Sequence, residues 1–227
     1  AVLDKYPLED IKPGDMFITN DPYSGGGTHL PDITMAMPVF VEGRLVAFVA
    51  NIAHHSDIGG SVPGSVSAKS DSLYQEGLRI PLGRILREGK IVRETYDFIL
   101  LNTRTPVERG GDLDAQIASN IAGAKRMAEV IKKYGPDYFA ACTDALLDYA
   151  EKLMRAGIRS LPDGTFTFED YLDDAGENVD EPIPIRASVT IEDGSVTVDF
   201  TGTSPQVPGP LNLTYSGLMT TVFYCFK

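Results

Sequence analysis

Two apolar runs, "ITMAMPVFV" (33 to 41) and "RLVAFVANIA" (44 to 53), stand on either side of the dipeptide Glu42-Gly43. Runs of this length separated by two residues, the second a glycine, predict a β-hairpin, because a two-residue turn with left-handed backbone matches the twist of the strands that it joins. Neither run alternates apolar with polar residues, so the hairpin is expected to be buried on both faces. Pro38 has no N–H to give to a ladder, which predicts an edge position or a bulge near it. Whatever else the chain builds has to cover this hairpin.

The remaining segments fit around it as an α+β fold. "MFITN" (16 to 20) predicts a short strand, "SDIGGSVPGSVSAKSDS" (56 to 72) a long Gly/Ser/Pro loop, and "LREGKIV" a turn with a short strand. "RETYDFILLNTRTP" predicts a short helix ended by Pro106. Leu113, Ile117, Ile121, Ala124, Met127/Ala128 and Ile131 recur at helical spacing up to Gly135-Pro136, and Phe139, Cys142, Leu146, Tyr149/Ala150 and Leu153 form a second stripe. Two helices with so short a link are expected to pack as an antiparallel pair. Beyond "PDG", the segments "TFTFEDYL", "PIRASVTI" and "VTVDFTGT" predict an antiparallel sheet with one face in water. The expected organisation is a β-rich region over 1–110 with the buried hairpin, a helical hairpin over 111–162, and the start of a further antiparallel sheet over 163–227. The apolar ending, with Phe223 to Phe226 expected as an unfinished strand edge, reads as a fragment of a longer subunit.

Charge narrows the partners. Thirty-two acidic against 20 basic residues leave a net charge of −12, with no Lys/Arg cluster to reverse it locally. Such a surface repels phosphate backbones and anionic lipid, so neither nucleic acid nor membrane is an expected partner. No apolar run reaches the ~18 residues of a membrane span. The two cysteines, Cys142 in a helical context and Cys225 in a strand-like one, are expected as buried thiols rather than a disulfide. A reducing cytoplasm is the expected location.

All three histidines fall in two short stretches, "NDPYSGGGTHLPD" (20 to 32) and "NIAHHSDIGG" (51 to 60). Pairing Val41 with Arg44 and counting outward places Asp32 opposite Ala53, so His29 and Asp32 meet His54 and His55 at the open end of the hairpin. Two imidazoles and a carboxylate suit Zn²⁺, Mn²⁺ or Fe²⁺ and leave positions open for water and substrate, as a catalytic site requires. Adjacent strand residues point to opposite faces, so only one of His54 and His55 can be a ligand. The simple register favours His55, and a bulge near Pro38 would substitute His54. The other member orients a ligand or substrate from behind, with Asp57 available to hold a ring N–H. Asp21 is the nearest carboxylate for a fourth position. Further along, "RTPVERGGD" sets Arg104 and Arg109 before a helix start and could hold an anion. No phosphate-binding or nucleophile-elbow motif accompanies them.

"GDMFITNDPYSGGGTHLPDI", "AHHSDIGG", "YQEGLRIP", "RTPVERGGDLDAQIASN" and "VDFTGTSPQVPGPLN" occur in this order, and together they resemble the hydantoinase B/oxoprolinase family. The resemblance covers nearly the whole chain, although typical family subunits are longer at both ends. It implies an ATP-dependent cyclic-amide hydrolase of hydantoinase, N-methylhydantoinase or 5-oxoprolinase type. In this family an A-type partner subunit uses ATP to phosphorylate the substrate carbonyl oxygen, and the B-type subunit then acts on the activated intermediate at a divalent metal, Zn²⁺ or Mn²⁺. Similarity to the ketone carboxylases of the family implies His29, Asp32 and His54 as ligands, leaving His55 and Asp57 in supporting catalytic roles. It also implies a hetero-oligomer and a small cyclic amide or ketone as substrate. Two alternatives stand beside the hydrolase: the matching subunit of an ATP-dependent ketone carboxylase, and a non-catalytic module whose metal only staples loops.

Overall fold

The computed structural model describes residues 1–25, 27–173 and 181–227. Gly26, within the expected glycine loop, lies outside the described residues. The chain is a mixed α/β protein with antiparallel sheets, divided into two compact units, one of residues 1–139 with 213–219 and the other of residues 140–212 with 220–227.

The first unit is built on a five-stranded sheet in the order β3-β2-β1-β4-β5, made by β1 (Met16–Thr19), β2 (Asp32–Val41), β3 (Arg44–His54), β4 (Gly83–Arg87) and β5 (Lys90–Ile91). Its helices are α1 (Val2–Lys5), α2 (Leu73–Glu76), α3 (Arg93–Leu101) and α4 (Pro106–Tyr134). The hairpin of β2 and β3 is present, and both of its turn residues are left-handed, Glu42 at φ 52° and Gly43 at φ 78°. Strand β1 pairs with β2 only from Thr34 to Ala36, so Pro38 lies beyond the stretch where β2 has partners on both sides. The pairing of β2 with β3 shifts between Val39 and Phe40: Phe40 faces Leu45 while Val39 faces Ala47, which leaves Val46 as the extra residue of a bulge. Burial on both faces does not hold for β3. It is an edge strand, and Ile52 is 57% exposed.

Helix α4 covers one face of this hairpin. Its start differs from expectation, since Pro106 opens α4 rather than ending the helix before it, in keeping with the tolerance for proline at a first helical position. Leu113 and Ile117 join Met16, Ile18, Ile33, Met35 and Ile58 in one core cluster, while Ala124 and Ile131 join Val39 and Val41 in a second. Each fully buried Leu or Ile side chain contributes roughly 1.5–3 kcal/mol. The stripe also differs in one respect: Ile121 is 47% exposed, and the in-phase polar residues Gln116 and Asn120 are buried in its place. They donate to sheet carbonyls, Gln116 to Ile33 at 2.9 Å and Asn120 to Met35 at 3.1 Å. The face expected to meet another helix is thus used on the sheet.

The second unit holds most of α5 (Pro136–Arg159) and a three-stranded antiparallel sheet, β6-β7-β8, from β6 (Gly164–Leu172), β7 (Ile183–Glu192) and β8 (Ser195–Asp199). No residue of α5 is buried, and β6 is exposed along its whole length. The final element is a helix, α6 (Tyr215–Phe226), not the expected strand edge. Both cysteines are free and exposed, which corrects the expectation of buried thiols: Cys142 sits on the uncovered α5 and Cys225 in the last turn of α6. No described helix is long and apolar enough to cross a membrane.

Candidate metal centre

Two local features bring the cluster together. The amide of Asp32 donates to the His29 carbonyl at 3.1 Å, closing a turn that sets the two side chains side by side. The bulge at Val46 then shifts β3 by one residue, so that Asp32 pairs with His54 and not with Ala53. Directly paired residues share a face of a sheet, so this single extra residue chooses between the two adjacent histidines. The ladder continues past the strand ends, with the His55 amide donating to Pro31 at 2.8 Å.

The result is a group of three, His29, Asp32 and His54, in which each residue offers one ligand atom and these atoms all lie within 4.8 Å of one another. His29 Nε2 stands 3.3 Å from Asp32 Oδ2, and the His29 and His54 rings are 4.9 Å apart between centroids at a 41° tilt. Asp32 is further oriented by the Thr28 hydroxyl, which donates to Oδ2 at 2.8 Å. The side chains of His29 and Asp32 are 35% and 18% exposed, and His54 is exposed, so the cluster opens to solvent. Glu76 adds a fourth ionisable group near His29. Burial raises its carboxyl above the ordinary glutamate range, against the opposing effects of His29 and of the Leu30 amide.

The other expected site residues are placed elsewhere. His55 is 1% exposed, with Nε2 2.9 Å from Gln116 Oε1. Burial lowers its pKa, only partly offset by the Gln116 bond, which favours the neutral ring. Asp21 is bound by both ends of the Arg79 guanidinium at 3.0 and 3.1 Å, and by Ser24 and the Tyr23 amide. Burial would raise its pKa, but these donors outweigh it and hold the carboxylate below its ordinary range. Asp57 is gripped by Arg104, through Nη1 at 2.7 Å and the backbone amide at 2.8 Å. Among the described hydrogen bonds, neither His55 nor Asp57 reaches His29, Asp32 or His54.

The arginines expected as an anion site both engage groups within the chain. Arg104 also donates to the carbonyls of Gly59 and Gly60, and Arg109 pairs with Ser56 and with Asp112. Burial pushes the Asp57 pKa up, but the Arg104 and Gly59 donors pull it further down, so the net shift is a lowering. A lowered folded-state pKa contributes stability that is full above the unfolded value of about 3.9 and is lost as pH falls through the folded value. Hydrogen bonds to charged groups contribute about 1.5–3 kcal/mol. The Arg104 side chain is 38% exposed, so solvent screening reduces this to about 1 kcal/mol. Asp57→Asn should therefore lower Tm at pH 7, and the gap from the unmodified chain should close as pH drops below about 3.9. A gap that persists undiminished at pH 2 would contradict this account of the clamp.

Besides Thr28, sequence reasoning does not single out Gln116 and Asn20 as positioning groups. Gln116 lies in helical phase with Leu113 and Ile117, where a polar residue in an apolar stripe is the available signal. Asn20 donates to the Leu30 and Leu78 carbonyls, both at 2.8 Å, and accepts from the Ile80 amide, tying the His29 loop to the segment before β4.

An antiparallel α+β scaffold that gathers two imidazoles and a carboxylate at one hairpin end defines a candidate divalent-metal protein. The chain belongs to the hydantoinase B/oxoprolinase family, whose model matches residues 1–227. It is 38% identical over 216 residues to the B-type subunit of a putative D-/L-hydantoinase of Pseudomonas sp. (strain NS671), a match covering 93% of this chain and 36% of that protein. The crystal structure of an ATP-dependent caprolactamase from Pseudomonas jessenii superposes with a TM-score of 0.91 at 33% identity, over 98% of this chain and 38% of that one. A nucleotide-free acetone carboxylase structure gives a TM-score of 0.86 at 21% identity, over 98% of this chain and 30% of that one, a likeness of fold alone. The chain spans 36%, 38% and 30% of the length of these three proteins, respectively.

Proposed function

We propose that the chain is the metal-bearing part of a subunit of an ATP-dependent cyclic-amide hydrolase, working on a substrate activated by a hydantoinase A-type partner. The observation that carries this reading is the His29, Asp32 and His54 group, whose donor atoms lie within 4.8 Å of one another in a family whose members include hydantoinase and caprolactamase subunits. Two imidazole nitrogens and one carboxylate oxygen match the donor preference of Zn²⁺ or Mn²⁺ and leave coordination positions free. A divalent ion there would supply Lewis-acid polarisation of a carbonyl and a water that deprotonates near neutral pH.

The chain's own residues prepare the site for that chemistry. The turn from His29 to Asp32 and the bulge at Val46 fix the ligand set before any ion arrives, and Thr28 holds Asp32 with one oxygen toward His29. His55 stands behind β3 and Asp57 secures the loop that follows it, so in this proposal both act on the reaction by positioning. Asp21, saturated by Arg79, is left out of the ligand set, and the open positions fall to solvent and substrate. Phosphorylation by the partner would turn the amide oxygen into a leaving group, the part of the reaction for which this chain carries no recognisable phosphate loop.

Substrate exchange tests the reading. With the partner present, ATP-dependent ring opening of hydantoin or 5-oxoproline that stops on chelation and returns with Zn²⁺ or Mn²⁺ supports it. Product formation that requires bicarbonate would transfer the site to a ketone carboxylase. A fold that collapses on chelation would make the ion a structural staple.

A further inference from the structure

We propose that Gln116 is the positioning residue that sets the ligand cluster, by locking the two ligand-bearing strand ends in register from the opposite face of the hairpin. The inference rests on the reading that His29, Asp32 and His54 hold an ion. Gln116 is 6% exposed on α4. Its Nε2 donates to the Ile33 carbonyl at 2.9 Å and to Asn51 Oδ1 at 3.0 Å, while Asn51 Nδ2 donates to the Gln116 carbonyl at 2.9 Å. Two acceptors on Nε2 fix which way the amide points, so Oε1 is the atom that meets His55 Nε2 at 2.9 Å. That nitrogen of His55 therefore carries the hydrogen and donates it.

These partners sit beside the ligands. Ile33 follows Asp32 on β2, His55 follows His54 at the end of β3, and Asn51 lies three residues before His54. Backbone ladder bonds alone do not say where β3 takes up its extra residue, and a slip of one residue would put Ala53 opposite Asp32 and turn the His54 ring to the other face. Such a slip would break the bonds of Gln116 to His55 and Asn51 together and leave buried polar atoms unpaired, which opposes it. The buried amide thus selects the register in which the three ligands meet. Among the described hydrogen bonds, the Asn120 side chain, one turn further along the same face, bonds the Met35 carbonyl alone and spans nothing next to a ligand.

The test compares Gln116→Met, which keeps the volume and removes the amide, with Asn120→Leu, which removes an equally buried amide from the same helix. The full chain would be titrated with Zn²⁺ in competition with a chelator, and amide hydrogen exchange would be followed without metal. Gln116→Met should weaken Zn²⁺ binding about 10 to 100-fold, as loss of a group behind the ligands does, and speed exchange at Ile33, Ala53 and His55. Asn120→Leu should leave both readings within about twofold of the unmodified chain, since it contacts no ligand neighbour. If Gln116→Met does not fold, Gln116→Glu keeps the acceptor toward His55, loses the donor pair, and should give the same two losses. Equal effects from the Gln116 and Asn120 variants, or no effect from the former, overturn the proposal. His29→Ala separates the two readings: if it binds Zn²⁺ as well as the unmodified chain, the ion lies elsewhere and the metal reading fails. Exchange at the strand ends then decides the role of Gln116, with faster exchange upholding it and unchanged exchange refuting it.

Discussion

His54→Ala is expected to abolish divalent-ion binding while leaving the fold intact, and His55→Ala to destabilise the fold and weaken the ion without abolishing its binding. His54 is exposed at the end of an edge strand, so its truncation removes little packing. On the proposed reading it removes one of three ligands, and the loss of affinity should exceed the ~100-fold upper range for groups that only support ligands. His55 is buried against Gln116. Its truncation leaves a void and an unpaired acceptor, costing about 1–3 kcal/mol of stability, and weakens the ion about 10 to 100-fold through the displaced strand end. Metal content after dialysis, beside thermal unfolding of the metal-free proteins, reads both effects. Complete metal loss in His55→Ala with His54→Ala unaffected would exchange the roles of the two residues.

The second large effect is dependence on a partner. The metal-loaded chain, incubated with hydantoin, 5-oxoproline, or a ketone with bicarbonate, each with ATP, should turn over at background rate. Metal polarisation stabilises developing charge by several kcal/mol, but an unactivated amide still has to expel a poor leaving group. The sequence also carries no recognisable phosphate-binding motif for the nucleotide that would improve it. Adding the cognate A-type subunit to the full-length protein should restore ATP-dependent turnover of one of these substrates. Robust turnover by the chain without that subunit would replace the partner-dependent mechanism with a self-sufficient metallohydrolase.

Much of the scaffold was legible because its signals are local. Glu42-Gly43 announced the hairpin and Gly135-Pro136 ended α4. The α6 helix was not legible: "LMTTVFYCF" has no charged residue to mark a polar face, so its period cannot be read, and its β-branched and aromatic residues favour strand. The same limit hid the use of α4, since a stripe states that a face is buried without stating whether helix or sheet covers it. For the candidate site, convergence of the two histidine stretches followed from the hairpin, but the choice between His54 and His55 depended on where one extra residue entered β3. Pro38 hinted at the bulge without locating it at Val46. The carboxylates were the least legible part, because the arginines that bind Asp21 and Asp57 lie 58 and 47 residues away in sequence.

An anomalous-scattering map of crystals grown with Zn²⁺ or Mn²⁺, recorded on both sides of the metal's absorption edge, tests the central claim most directly. The account predicts a single strong peak bonded to His29, Asp32 and His54, at the roughly 2.0–2.2 Å expected of nitrogen and oxygen ligands to zinc. It should be absent from crystals of His29→Ala. A peak on Asp21 or Asp57 in its place, or a fully metal-loaded His29→Ala protein, would contradict it.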